Sequence, residues 1–247
     1  MSIAISEIVA RSEQGVTKPF LCRTPDGKSW FVKGLVGVGA EALRAEWICG
    51  KLAKALRFPI PGFSVAEVDD LLVKSSAVEG VFELGRKYSF GSRAVPGAQE
   101  ISFTQSMSVP LELKARLLLF DWWIQNEDRT LGAISGNPNM LSTGSSPIEV
   151  HLIDHHNAFD REFNPDNFWR NHIFADARGI WTLAWQRRET KRLMNAFTKL
   201  EDAWEEMPDA WFPDSDRTLS TSALEHTRIA AILSRPKDDP SSFWKIP

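Results

Sequence analysis

The chain has only two cysteines among its 247 residues, Cys22 and Cys49. Two thiols make neither a zinc site by themselves nor the disulfide framework of an oxidising compartment. Long apolar runs are also missing. The richest stretch, LLLFDWWI from Leu117 to Ile124, is interrupted by Asp121 and falls well short of the roughly 20 apolar residues that a bilayer-spanning helix needs. The opening MSIAISEIVARSEQG lacks the apolar centre of a secretory signal. The expectation is a soluble cytoplasmic protein with no membrane partner. There is no excess of positive charge either: 29 Lys and Arg stand against 32 Asp and Glu, a formal net charge of −3. That balance removes the electrostatic case for direct nucleic-acid binding. No internal repeat, no low-complexity tract, no His-Glu-x-x-His and no Gly-x-Gly-x-x-Gly is found.

What is present suits a sizeable core, with 43% hydrophobic and 25% charged residues, enough for one large domain or two lobes sharing a cleft. The first part reads as β-rich. EIVARS and KPFLCRT flank the turn-like EQGV, and TPDGK turns the chain into SWFVKGL. GAEALRAEWICGKLAKALRF then carries helical spacing through Leu43, Trp47 and Leu52, stopped by the two prolines of FPIPG. GFSVAEV and DLLVKSSAV are read as further strands, and RKYSFGSRAVPGAQ as a linker. The second part reads as helical, in LELKARLLLFDWWIQNED, GIWTLAWQRRETKRLMNAFTKLEDAWEEMP and TSALEHTRIAAILSRP. The expected plan is α+β, with a small β-rich lobe over residues 1–95 and a larger helical lobe over 96–247, and a ligand cleft between them.

Between the helical segments lies NEDRTLGAISGNPNML, followed by HLIDHHNAF. Asp128 is expected at the end of a buried helix, rigidly held, and Asp154 where a strand leaves the core; Asn137 and Asn139 lie between them. Hard Mg²⁺ takes oxygen ligands, commonly one or two carboxylates together with substrate phosphates, and an Asp with an Asn amide oxygen suits it. A second carboxylate beside the phosphate would orient a hydroxyl nucleophile and accept its proton. The matching cation is Lys33 in WFVKG. Period-two alternation puts it on the face of Phe31, opposite Trp30 and Val32. Glu46 shares a helix face with Leu43 and Trp47, and a carboxylate on an apolar face should be paired. Taken singly, each residue has an ordinary structural reading: Asp128 or Asp154 as a cap or turn residue, Lys33 as a solvated strand residue, Asn-Pro-Asn as a turn.

In this order, strand Lys33, helix Glu46, FPIP, FGSR, NEDRT, NPNML and LIDHHNAF resemble the HipA-like kinase family, in particular its short members, over roughly residues 5–165. More distantly they resemble phosphatidylinositol kinases. The resemblance implies a two-lobed protein-kinase-like fold with a nucleotide-binding N-lobe. It implies ATP and Mg²⁺ as cofactors and phosphoryl transfer to a Ser/Thr hydroxyl of a protein acceptor. It further implies Asp128 as the catalytic aspartate, Asp154 as the metal-binding aspartate, Lys33 as the nucleotide lysine paired with Glu46, and Gly15 in the phosphate loop. By analogy with full-length HipA toxins, an antitoxin or regulatory partner in a toxin–antitoxin setting is a further implication, although the chain lacks their extra N-terminal region. The family usually places an Asn five residues after the catalytic Asp. Here Asn137 is nine and Asn139 eleven residues on, LGAISG reads as an insertion, and either Asn suits the metal.

Two readings compete. A pseudokinase-type module would bind nucleotide or partner without transfer, in keeping with the insertion and the glycine-poor phosphate loop. A zinc hydrolase would use His151, His155, His156 and His172. Most of the ten tryptophans fall in the second part, at spacings expected of core residues. EDAWEEMPDAWFPDSD reads either as a solvated connection anchored by its tryptophans or as a docking loop for a basic partner.

Overall fold

The structure, a computed structural model, describes residues 2–13, 17–85, 87–132, 136–144, 148–212 and 220–245. Its contacts divide the chain into two compact units. One comprises 1–47, 61–96 and 206–223, and the other 48–60, 97–205 and 224–247. The sequence reading had placed a single boundary near residue 95.

The first unit is built on a six-stranded sheet of β1 (Ser2–Ala4), β2 (Glu7–Arg11), β3 (Phe20–Arg23), β4 (Ser29–Lys33), β5 (Phe63–Val68) and β6 (Lys87–Arg93), in the order β1-β5-β6-β4-β3-β2. Every neighbouring pair is antiparallel except β1 with β5. Alternation is clear in β4: Trp30 and Val32 enter a core with Ile8, Phe20, Cys22, Ala66 and Val68, while Phe31 points out. Burial pushes the Cys22 thiol up to about 12, so it behaves as a small apolar residue. The short helix α1 (Leu35–Val38) follows Gly34, and α2 (Ala40–Ala55) carries the apolar spacing seen in the sequence. Gly34 is obligatory, because a Cβ there would lie 2.1 Å from Leu84 Cα. Trp47 on α2 meets Phe63 and Trp211 edge-on, and Trp211 donates to the carbonyl of Tyr88 at 3.1 Å.

Two expectations fail in this unit. Residues 70–75 form helix α3 (Asp70–Ser75) rather than a strand, because the Asp69 side chain accepts the Leu71 amide at 2.7 Å and caps it. The expected linker at 86–99 contains β6, which pairs with both β4 and β5 and is interior to the sheet. Its Gly, Ser and Arg content signals a loop locally, but two unpaired neighbouring edges decide otherwise.

The second unit is organised around a buried helix. After β7 (Gln99–Glu100) and α4 (Phe103–Met107) comes α5 (Leu111–Trp123), buried continuously from Leu117 to Trp123. The hairpin β8 (Thr130–Leu131) with β9 (Gly136–Asn137) follows, and then β10 (Met140–Thr143) and β11 (Glu149–Leu152), with β10 pairing β11 and β7. Helices α6 (Pro165–Asn171), α7 (Leu183–Phe197), α8 (Leu200–Glu205), α9 (Ser220–Asp238) and α10 (Pro240–Phe243) complete it. Arg235 on α9 donates to the carbonyls of Trp122 and Trp123, groups with no partner of their own at the end of α5. The indoles of Trp122 and Trp123 donate to the carbonyls of Phe243 and Leu233. Trp122 also packs on Phe168 and Trp169, so the tryptophans at helical spacing are core. Trp204 and Trp211 of the acidic stretch are likewise buried, as anchors of a connection. No helix among the described residues is long and apolar enough to cross a membrane.

Candidate active site

In the first unit, Lys33 closes β4 and Glu46 lies one turn into α2. Lys33 Nζ stands 2.5 Å from Glu46 Oε1, and the two residues are only 8% and 3% exposed. Moving two charges out of water is costly, and apolar residues of similar volume often replace such a pair without loss of stability. The pair is therefore weak evidence for stability. Gly15 lies outside the described residues.

In the second unit the acidic residues sit on irregular backbone. Helix α5 ends at Trp123, so Asp128 does not end the helix as expected; it lies five residues beyond it, after Gln125 turns the chain with φ of 52°. One carboxylate oxygen, Asp128 Oδ2, accepts three amides: Asn137 Nδ2 at 2.9 Å, Asn139 Nδ2 at 3.0 Å and Asn157 Nδ2 at 3.1 Å. Asn157 escaped the sequence reading. Its signal was its place three residues after Asp154, in HHNAF. With each nitrogen committed to Asp128, the amide oxygens are the acceptors left to the asparagines. Asn139 is 4% exposed with φ of 44°, whereas Asn137 is half-buried on β9.

Asp154 follows β11 in the left-handed region, with φ of 58°, and Phe159 does so again with φ of 62°. Asp adopts that conformation more readily than most residues, whereas Phe rarely does, so at Phe159 the surrounding structure must enforce it. The enforcement is visible. Ile153 N–H donates to the Asn139 carbonyl at 3.1 Å, and Phe159 N–H donates to the Ile124 carbonyl at 2.8 Å. His156 Nδ1 contacts Asp154 Oδ1. A cavity of about 310 Å³ opens beside Asp128, lined also by Glu127, Asn157, Asp160, Asn167 and Asn171.

Beneath these residues lies a polar network that is not legible in the sequence, where Asp121 reads only as a break in an apolar run. Asp121 and Arg129 are fully buried, with Arg129 Nε 2.6 Å from Asp121 Oδ2. Asn126 Nδ2 and His172 Nε2 each lie 3.0 Å from an Asp121 oxygen. Burial opposes ionisation of Asp121, but the Arg129 guanidinium and the His172 donor outweigh it and hold the carboxyl well below the usual range. Burial lowers the His172 pKa against the pull of Asp121. Geometry supports the neutral ring: Nδ1 accepts the Phe174 N–H at 3.1 Å, which fixes the proton on Nε2. His155 Nε2 faces Arg129 Nη2 at 3.3 Å and must accept there, because a guanidinium only donates. Both rings are thus turned to structural partners, away from a role as zinc ligands.

A comparison with known families decides the relationship. The family described as HipA-like kinase matches residues 5–247. The chain belongs to the HipA-like kinase family. No curated protein matches it by sequence. Among solved structures this HipA-like kinase is similar to the Helicobacter pylori proinflammatory kinase CtkA, at 9% identity and a TM-score of 0.54, over 92% of this chain and 90% of that one. At that identity the likeness speaks for the kinase-like α+β fold alone. Similarity to the Golgi casein kinase, also solved with Mn/ADP bound, is weaker: TM-scores of 0.44 at 12% identity, over 94% of this chain and 71–72% of those chains. Phosphoryl transfer is the chemistry of the family.

Proposed function

We propose that the protein transfers the γ-phosphoryl group of ATP, with Mg²⁺, to a Ser or Thr hydroxyl of a protein acceptor. The observation that carries this reading is the Asp128 carboxylate, braced through one oxygen by three asparagine amides and bordered by a polar cavity. In this reading Asp128 orients the acceptor hydroxyl and takes its proton as the oxygen bonds to phosphorus and the bond to the ADP oxygen breaks. Lys33, steadied by Glu46, grips the nucleotide phosphates. The donors this reading uses are hard oxygens, the Asp154 carboxylate and an asparagine amide oxygen, which suit Mg²⁺, while His156 Nδ1 stands on Asp154 Oδ1 as its partner. Asp154 and Asn137 would hold the ion, with Asn139 as a buried brace. Bound there, Mg²⁺ supplies charge neutralisation on the phosphates.

The test is Asp128→Asn, which keeps size and most hydrogen bonding but cannot take a proton. Mg·ATP binding, read as a thermal shift, should persist, while transfer from radiolabelled ATP should fall by about 10²–10⁴-fold. Equal transfer by the variant would make Asp128 a structural residue. Nucleotide binding without transfer by the wild type would favour the pseudokinase reading.

A further inference from the structure

We propose that Arg129 is a positioning residue, anchored by Asp121, that holds the acid loop and the metal-ligand loops in one geometry; the proposal rests on the phosphoryl-transfer reading above. A guanidinium has five N–H donors in a rigid fork. In Arg129 each donor has its own acceptor inside the fold. Nε meets Asp121 Oδ2 at 2.6 Å, and Nη2 meets Asp121 Oδ1 at 3.4 Å and His155 Nε2 at 3.3 Å. Nη1 meets the carbonyl of Pro138 at 3.2 Å and that of Asn139. No donor is left for a phosphate, and the side chain is fully buried. Arg129 therefore touches neither nucleotide nor acceptor.

The destinations of those bonds define the role. Asp121 belongs to α5, the most deeply buried helix of its unit, and is the fixed end. Pro138 and Asn139 join β9 to β10 directly after Asn137, so this stretch bears the two candidate metal amides, and His155 is the neighbour of Asp154. Arg129 is itself the neighbour of Asp128. One side chain thus ties Asp128, Asn137, Asn139 and Asp154 to one rigid helix. A buried pair of this kind is poorly explained by stability alone. Groups that orient metal ligands without touching the ion commonly change metal affinity by about 10–100-fold when removed.

The experiment uses the full chain and measures Mg²⁺-dependent ATP binding by calorimetry beside ATP turnover. Arg129→Lys offers a single ammonium that cannot reach both Asp121 and the two carbonyls, and Asp121→Asn removes the charge that anchors the fork. In each, the Mg²⁺ concentration for half-maximal ATP binding should rise about 10-fold or more, while ATP affinity at saturating Mg²⁺ stays within about twofold. Arg235→Lys is the control, a half-buried arginine that also donates to α5 carbonyls; it should lower Tm without moving the Mg²⁺ requirement. An unchanged requirement in folded Arg129→Lys and Asp121→Asn overturns the proposal. So does failure of both to fold while Arg235→Lys folds, which would make the network a stability device. If the wild type shows no Mg²⁺-dependent ATP binding, the phosphoryl-transfer reading fails and takes this proposal with it. Wild-type binding with unshifted variants removes the positioning role only.

Discussion

His172 donates from Nε2 to Asp121 over 3.0 Å while its other ring nitrogen accepts the Phe174 amide, so the folded protein holds this imidazole neutral. Protonation at Nδ1 would oppose one N–H to another in a fully buried site.

The consequence is a pH dependence of stability. The unfolded imidazole titrates near about 6.5, and burial lowers the folded value. Between the two values the unfolded chain binds the extra proton, so stability is full above about 6.5 and declines as pH falls. Asp121, depressed in the folded state, contributes stability present above about 3.9 and lost only in stronger acid. Thermal unfolding between pH 7.5 and 5 should show Tm falling with pH. His172→Gln, which retains a donor without titrating, should flatten that slope; an unchanged slope would assign it elsewhere.

Lys33 and Glu46 separate function from stability. Glu46→Ala leaves a buried ammonium without its carboxylate and should cost about 3–5 kcal/mol in a urea titration. The double variant Lys33→Met, Glu46→Leu removes both charges at similar volume and should recover most of that loss. It should nevertheless lose Mg·ATP binding. If it binds ATP like the wild type, the pair serves only the fold.

The asparagines make the third prediction. Asn137→Ala should raise the Mg²⁺ requirement of ATP turnover while leaving Tm nearly unchanged, because its side chain is half-buried. Asn139→Ala, almost fully buried, should lower Tm by removing one brace of Asp128 and leaving a cavity. Mg²⁺ titrations of both variants check this, and a raised requirement in Asn139→Ala alone would transfer the ligand role to it.

Much of the fold follows from local pattern. The 3.6-residue spacing of Leu43, Trp47 and Leu52 and the prolines of FPIPG set α2, and period-two alternation set the faces of β4. Glu46 was legible as one half of a pair because it falls on a helix face otherwise apolar, where a charge requires its opposite, and Lys33 was the cation on the preceding strand. Asp128, Asn137, Asn139 and Asp154 stood out because acids and amides clustered between apolar segments. Other features had no local signal. Residues 87–93 read as a loop until β4 and β5 supply partners on both sides. Asn157 reaches Asp128 across 29 residues of chain, because the turns at Asp154 and Phe159 return the backbone to the end of α5. Asp121 looked like an interruption of an apolar run, and His172 like one of four histidines open to a zinc hydrolase. Periodicity records which faces are buried, and the sequence alone determined that much. Which buried polar groups satisfy one another depends on contacts between distant segments, and only the tertiary structure decided it, because a donor inside a protein must find its acceptor wherever the fold brings one.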